Sequence, residues 1–271
     1  NPSRKELDSL INTPDYEAYK ILPKGTVKVK QKQDNVEFAA MVESMDESLG
    51  RIIAKLKELG IQDNTIIFFY SDNGGMSAIN FGNSKRIVPK AQQDIAYSTS
   101  NLPLRGAKGW LYEGGIRVPL IVKWPGKGMQ NAESSIPVTS VDIFPTILNM
   151  VGFPEGIGKD KEGVDISPLI KGETINRGPI YWHFPHYSNH GMQSPGGAIR
   201  DGDYKLLEYF ENGTVQLFNL KNDIEEQKDL SKMEVEKTKE LKEKLHKWRK
   251  KVGAQMMKPN PDYNALLKAE L

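Results

Sequence analysis

The sequence predicts an α/β protein: part of a buried sheet with flanking helices, then a small antiparallel sheet that carries a C-terminal helix. Three observations predict it. A long amphipathic stripe (residues 35–59) leads into a short unbroken apolar run, TIIFFY (residues 65–70), that stops at Ser71-Asp72-Asn73-Gly74-Gly75. Such a run suits a strand covered on both faces, as in a parallel sheet, and open α/β sheets bind ligands at the carboxyl ends of such strands. After about residue 176 the texture changes to short apolar runs punctuated by turns, followed by a charged helical stretch. The chain therefore divides into an α/β part, residues 1–175, and an antiparallel subdomain with a long helix and extended tail, residues 176–271.

Residues 1–34 are polar and Lys-rich, broken by Pro2, Pro14, Pro23 and Gly25. They read as an irregular lead-in with one short helix near residues 4–11. In the next segment Phe38, Met41, Val42, Met45, Leu49, Ile52, Ile53, Leu56 and Leu59 recur at three- and four-residue spacing. That is the apolar stripe of a helix, and Gly60 supplies its stop. Residues 76–100 lack periodicity and read as a long surface loop. VPLIV (118–122), closed by Trp124-Pro125-Gly126, is a second buried strand. A helix follows through Ile143, Ile147 and Leu148 to Gly152, with Ser140 as N-cap and Asp142 in its first turn.

The second part opens with a strand at 180–184. Residues 198–200, a turn at Asp201-Gly202 and the run 204–210 form a hairpin. Asn212-Gly213 turns the chain into residues 215–220, completing a meander. Residues 234–252 are a charged helix with the stripe Leu241, Leu245, Trp248 and Val252, and its basic last turn suits the negative helix end.

Composition bounds the function. With 38% hydrophobic and 27% charged residues over 271 positions, the chain is an ordinary globular one with ample length for a core. Lys+Arg 37 against Asp+Glu 35 leaves a formal charge of +2, which gives no footprint for a nucleic acid or a membrane surface. No apolar run approaches a bilayer span. The absence of Cys excludes disulfides, thiolate metal sites and an unmodified Cys nucleophile within these residues. The chain opens on Asn1 rather than Met, as a processed or trimmed product would.

Three constellations could carry chemistry. Asp72-Asn73 presents hard oxygen ligands at a strand end, suited to Ca²⁺ or Mg²⁺, but also makes an ordinary turn. Leu104-Arg105-Gly106-Ala107-Lys108-Gly109, with Glu113-Gly114-Gly115-Ile116-Arg117, combines cations with glycines that let backbone approach a ligand closely. Lys108, Arg105 and Arg117 could meet an oxyanion, or the arginines could pair with Glu113. His183, His186 and His190 lie within eight residues and could ligate zinc, face a substrate, or simply pack.

The runs FAAMVESMDESLGRIIAKLKELGIQDNTIIFFYSDNGG, NLPLRGAKGWLYEGGIRVPLIVKWPG and TSVDIFPTILNMVG resemble the type I, formylglycine-dependent sulfatases of the alkaline-phosphatase superfamily. AIRDGDYKLLEYFENGTVQLFNL, with Asp223-Ile224-Glu225-Glu226 after it, is similar to that family's C-terminal subdomain, and YWHFPHY is similar to sulfatases acting on sulfated glycans. The resemblance implies an alkaline-phosphatase-like sheet and hydrolysis of sulfate esters of a sulfated sugar or aryl sulfate. It implies that Asp72 and Asn73 ligate a catalytic Ca²⁺ and that Lys108 contacts the sulfate in catalysis. His183 and His186 would face the substrate, and Arg105 and Arg117 would be structural. A periplasmic or secreted location is a further family expectation.

The chain also departs from the family. The Cys/Ser-x-Pro-Ser-Arg segment that becomes formylglycine, the paired-Asp part of the calcium site and a catalytic His are not found. Asn1-Pro2-Ser3-Arg4 is not that segment, because only 68 positions separate Arg4 from Asp72 and the expected continuation is absent. The expectation is a C-terminal part of a sulfatase, inactive alone, with an incomplete calcium site, open apolar sheet edges and its nucleophile in a missing N-terminal part. A phosphodiesterase or phosphonate hydrolase of the same superfamily is the alternative, as is a non-catalytic glycan-binding remnant. Asn212-Gly213-Thr214 is a glycosylation acceptor if the source has a eukaryotic secretory pathway.

Overall fold

A computed structural model describes residues 30, 32–77, 98–153, 162–188, 193–211, 213–259 and 261. The short helix expected near residues 4–11, most of the long loop expected at 76–100, and His190 lie outside the described residues.

Helix α1 (Val36–Glu58) begins at Asn35, whose side chain accepts a hydrogen bond from the Phe38 N–H at 2.8 Å. It stops at Gly60, which takes the left-handed φ of 63°. Lys55 pairs with Glu58 at 2.6 Å in the last turn. Its apolar stripe is the one the spacing predicts, yet no residue of the helix is buried, and Met41 is 67% exposed. Caps and local pairs shape this helix; packing against the other described elements does not.

Strand β1 (Ile67–Tyr70) follows a 3₁₀ turn. After the one-turn helix α2 (Glu113–Ile116) comes β2 (Leu120–Lys123), paired to β1 with Ile67 opposite Lys123 and Tyr70 opposite Leu120. This pairing is antiparallel, which corrects the expectation of a parallel arrangement. Apolarity in a strand reports burial and carries no direction. Here direction is set by the chain reversing beyond β1, where the Gly74 N–H donates to the Gly115 carbonyl at 2.9 Å. Neither strand is fully covered, and Ile121 is 64% exposed.

A 3₁₀ turn (Ser140–Asp142) leads into α3 (Ile143–Met150). The 3₁₀ turn is capped by Thr139, not Ser140, because Thr139 and Asp142 bond each other's backbone in a capping box. The buried Asp142 carboxylate also accepts from the Val164 N–H at 2.9 Å and Arg177 at 2.8 Å. A one-turn helix, α4 (Ser167–Ile170), packs alongside α3.

Strands β3 (Ile180–Phe184), β4 (Gly196–Asp201), β5 (Tyr204–Tyr209) and β6 (Val215–Asn219) form an antiparallel meander in sequence order. The twofold strand period sorts its side chains onto two faces. Ile199, Leu206 and Leu217 meet Leu241 and Leu245 of α5 (Val235–Lys251), and Trp248 stacks on Tyr181 at 4.8 Å. On the opposite face Ala198, Leu207, Tyr209 and Phe218 meet Ala107, Trp110, Leu111 and Tyr112. The meander is thus covered by a helix on one side and by the segment around Lys108 on the other.

A charged clasp joins α5 to the sheet. The two-residue strand period from Leu206 to Glu208 keeps Glu208 on the helix side, where its carboxylate accepts from His246 at 2.8 Å and Arg249 at 2.6 Å, with Lys242 at 3.4 Å. Burial alone would raise this carboxyl. The His246 hydrogen bond and the Arg249 and His246 charges outweigh burial and hold it below the ordinary value of 4.5. A depressed folded value means that the stabilisation is present above 4.5 and is lost as pH falls through the folded value. Glu208→Gln should therefore cost about 2 kcal/mol at neutral pH and flatten the acid limb of stability against pH. Denaturant unfolding between neutral and acid pH checks this; an unchanged acid limb would refute it.

Candidate active site

The site is built where three stretches of backbone meet. Beyond β1 the Asn73 N–H donates to Asp72 Oδ1 at 2.9 Å, and Asn73 Nδ2 donates to the Gly74 carbonyl at 3.0 Å. These bonds leave Asp72 Oδ2 and Asn73 Oδ1 as oxygen donors for a ligand at the strand end. The Lys108 N–H donates to the Gly75 carbonyl at 3.1 Å, which sets the Lys108 backbone beside this turn. Asn101 clamps the same junction, donating to the carbonyls of Gly75 at 2.8 Å and Gly106 at 3.2 Å.

The paired glycines serve that junction. A Cβ on Gly74 would lie 1.8 Å from the Gly114 carbonyl oxygen, and one on Gly115 would lie 2.2 Å from that of Trp110. The absent Cβ atoms at Gly74 and Gly115 are thus needed for neighbouring backbone to approach, and Gly109 and Gly115 also line the adjoining cleft. Arg105 and Arg117 resolve to contacts within the chain, Arg105 to a backbone carbonyl and a ring, Arg117 to a carboxylate. Arg105 is buried, donates to the Glu226 carbonyl at 2.5 Å and covers the Tyr112 ring at 4.2 Å. Arg117, exposed, lies 3.7 Å from Glu113.

A cleft of about 570 Å³ opens at this junction, lined by Asp72, Asn73, Gly109, Trp110, Trp182 and His183 among others. The structure therefore brings Asp72, Asn73 and His183 around one space, with half-buried Lys108 one residue from its wall. His186 does not line it; it is exposed and packs edge-on against Phe184 at 5.6 Å. His183 lies 2.7 Å from the Gln255 carbonyl oxygen. That bond requires the proton on Nε2 and leaves Nδ1 buried without a hydrogen-bond partner among the described residues.

For a metal, Asp72 and Asn73 fit calcium in kind, since both are hard oxygen donors, but supply two of the six to eight oxygens calcium takes. Among the described residues no three His, Cys, Asp or Glu side chains converge on a metal-sized centre. The described histidines thus form no zinc site with one another.

Sequence reasoning missed the buried partners behind the site. Lys205 bonds Glu113 and Glu226, each at 2.9 Å. Tyr112 donates to Gln216 at 2.7 Å. A signal for Lys205 exists, because the strand period places it in phase with buried Leu207 and Tyr209.

The family model for sulfatases matches residues 13–153. The chain belongs to the sulfatase family. A second model, the C-terminal region of N-sulphoglucosamine sulphohydrolase, matches residues 107–252 of this sulfatase chain. A sulfatase of Formosa agariphila is 30% identical over 236 residues, covering 78% of this chain and 39% of that protein. N-acetylgalactosamine-6-sulfatase of Mus musculus is 33% identical over 149 residues, covering 54% of this chain and 25% of that protein. Among solved structures, Ps i-CgsB in complex with k-i-k-neocarrahexaose superposes with a TM-score of 0.64 at 28% identity, covering 88% of this chain and 48% of that one. A structure bound to its substrate D-glucosamine-2-N,6-O-disulfate gives 0.58 at 25% identity, covering 77% and 39%. The sulfatase chain spans less than half the length of each. Their likeness agrees with the mixed α/β fold, the antiparallel sheets and the C-terminal helix. Among the described residues no helix is long and apolar enough to cross a membrane.

The junction gives a test of the site's construction. Gly74→Ala should destabilise the chain by about 1–3 kcal/mol or more, since its Cβ has no room. Gly178→Ala, where nothing lies within 4 Å, should be near neutral. Equal unfolding midpoints for the two would refute the close packing.

Proposed function

We propose that this chain is the C-terminal part of a sulfatase that hydrolyses sulfate esters of a sulfated sugar or glycan. Its nucleophile, a formylglycine, would lie outside these residues. The observation that carries the reading is the meeting of Asp72, Asn73, the Lys108 segment and His183 at one cleft in a chain of this family. The names of the relatives support the substrate class, as they include an amino-sugar sulfatase and a structure bound to a disulfated glucosamine.

In this reading Asp72 and Asn73 hold a calcium ion together with oxygens from outside the described residues. The bound ion would supply positive charge to the sulfuryl oxygens. The Lys108 ammonium steadies the sulfate or the leaving oxygen as charge develops there. His183 contacts the sugar in the cleft, its ring held by the Gln255 carbonyl, and exposed His186 meets a part of the sugar that extends beyond the cleft. The 271 residues by themselves turn over no ester, because they hold no group that forms the covalent intermediate. A periplasmic or secreted site of action accompanies this reading.

Lys108→Ala in the complete protein should lower kcat/KM for an aryl sulfate by about 100- to 1000-fold, with the melting temperature unchanged. Steady-state kinetics check it, and an unchanged rate would sink the role given to Lys108. The same assay with an aryl phosphate decides between sulfatase and phosphodiesterase: faster phosphate than sulfate turnover would replace the proposed activity.

A further inference from the structure

We propose that Glu226 is the positioning residue of the Lys108 segment, holding both of its ends from the C-terminal sheet side. The proposal rests on the reading of Lys108 given above. The segment is bracketed by two buried charged residues, Arg105 and Glu113. Glu226 bonds both. Its backbone carbonyl accepts from Arg105 Nη1 at 2.5 Å, and its carboxylate Oε2 accepts from the Glu113 N–H at 2.7 Å. Lys205, wholly buried on β5, closes the arrangement by hydrogen-bonding the Glu113 carboxylate and ion-pairing with that of Glu226.

The backbone at Glu226 is unusual in a way this role accounts for. Its φ of 53° lies in the left-handed region, which disfavours side chains other than Gly, Asn and Asp. A glycine would relieve the strain there but would lose the carboxylate. Retaining a side chain in this conformation delivers the carbonyl to one end of the segment and the carboxylate to the other, and surrounding contacts sustain such strain. Between these anchors Lys108 has, among the described residues, no comparable side-chain anchor of its own. Its place follows from the fixed ends, from its N–H bond to Gly75, and from the packing of Ala107 and Trp110 on the sheet. Effects at Glu226 should therefore reach the reaction through Lys108, since a misplacement of about 1 Å costs about 100-fold in rate.

The test compares the complete protein with its Glu226→Ala, Lys108→Ala and doubly substituted forms, by aryl sulfate hydrolysis and by amide hydrogen exchange. Glu226→Ala should lower kcat/KM by about 10- to 100-fold. It should also speed exchange across residues 105–115 while β4–β6 stay protected. In the Lys108→Ala background the same substitution should cost nothing further, the non-additivity of groups acting as a unit. Glu226→Gln, which keeps the backbone carbonyl and an oxygen for the Glu113 N–H, should restore most of the rate. Multiplying losses in the double form, where Lys108→Ala alone is damaging, would overturn the proposal. So would exchange that rises uniformly over the sheet, or a Glu226→Gln protein that does not fold. If Lys108→Ala alone leaves the rate unchanged, the functional reading fails instead, and the exchange pattern still decides whether Glu226 orders the segment.

Discussion

Lys205 sits without solvent contact between the carboxylates of Glu113 and Glu226, and the described architecture depends on that contact. A lone buried ammonium would cost several kcal/mol, so the cation depends on having carboxylate partners beside it. The two carboxyls respond in opposite directions. Burial would raise both. At Glu113 the charge and hydrogen bond of Lys205, with Arg200 and Arg117 nearby, outweigh burial and hold the group below 4.5. At Glu226 burial prevails and the group is raised. The cluster thus joins two stretches of chain more than ninety positions apart through charges that none of the three could carry alone.

That joint separates two regimes of packing. Around it the meander is closed on both faces, by α5 and by the residues around Trp110 and Tyr112. Burial there is near complete, and the Tyr112 phenol is pushed up to about 12, chiefly by loss of water. On the far side of the glycine junction, α1, β1 and β2 keep large apolar side chains in the open, among them Met41, Ile52 and Ile121. Local caps and ladder bonds shape these elements, and the described residues provide little to cover them. An exposed apolar patch of this kind marks an interaction surface or an aggregation liability.

The candidate site lies on the boundary between the two regimes. The oxygens proposed to hold a cation, those of Asp72 and Asn73, lie on the less covered side, on the turn after β1. Lys108, the cation proposed to meet the sulfate, lies on the segment cemented to the covered side. The contact between them is backbone on backbone, made by glycines whose missing Cβ atoms permit it. Short main-chain bonds such as Gly74 to Gly115 and Lys108 to Gly75 fix the relative placement of the two halves more tightly than flexible side chains would.

Periodicity and punctuation were enough to locate the longer elements, though not the one-turn helices α2 and α4. The α1 stripe with its Asn35 and Gly60 ends, the strand at 180–184, the meander turns and the α5 stripe are all local patterns, because side-chain period and capping are local physics. The site pairs Asp72-Asn73 and Lys108, and the histidine run, were visible for the same reason: residue type and spacing announce chemistry. Strand direction, the identity of the Thr139 cap and the covering of the meander by residues 107–112 were not. Nor was the division of labour among charges, in which buried Arg105 bonds the Glu226 carbonyl and exposed Arg117 lies beside Glu113, while Lys205 and Glu226 hold the segment. Those outcomes are decided between groups far apart in sequence, where burial sets the cost of an unpaired charge and only the folded chain supplies the partner.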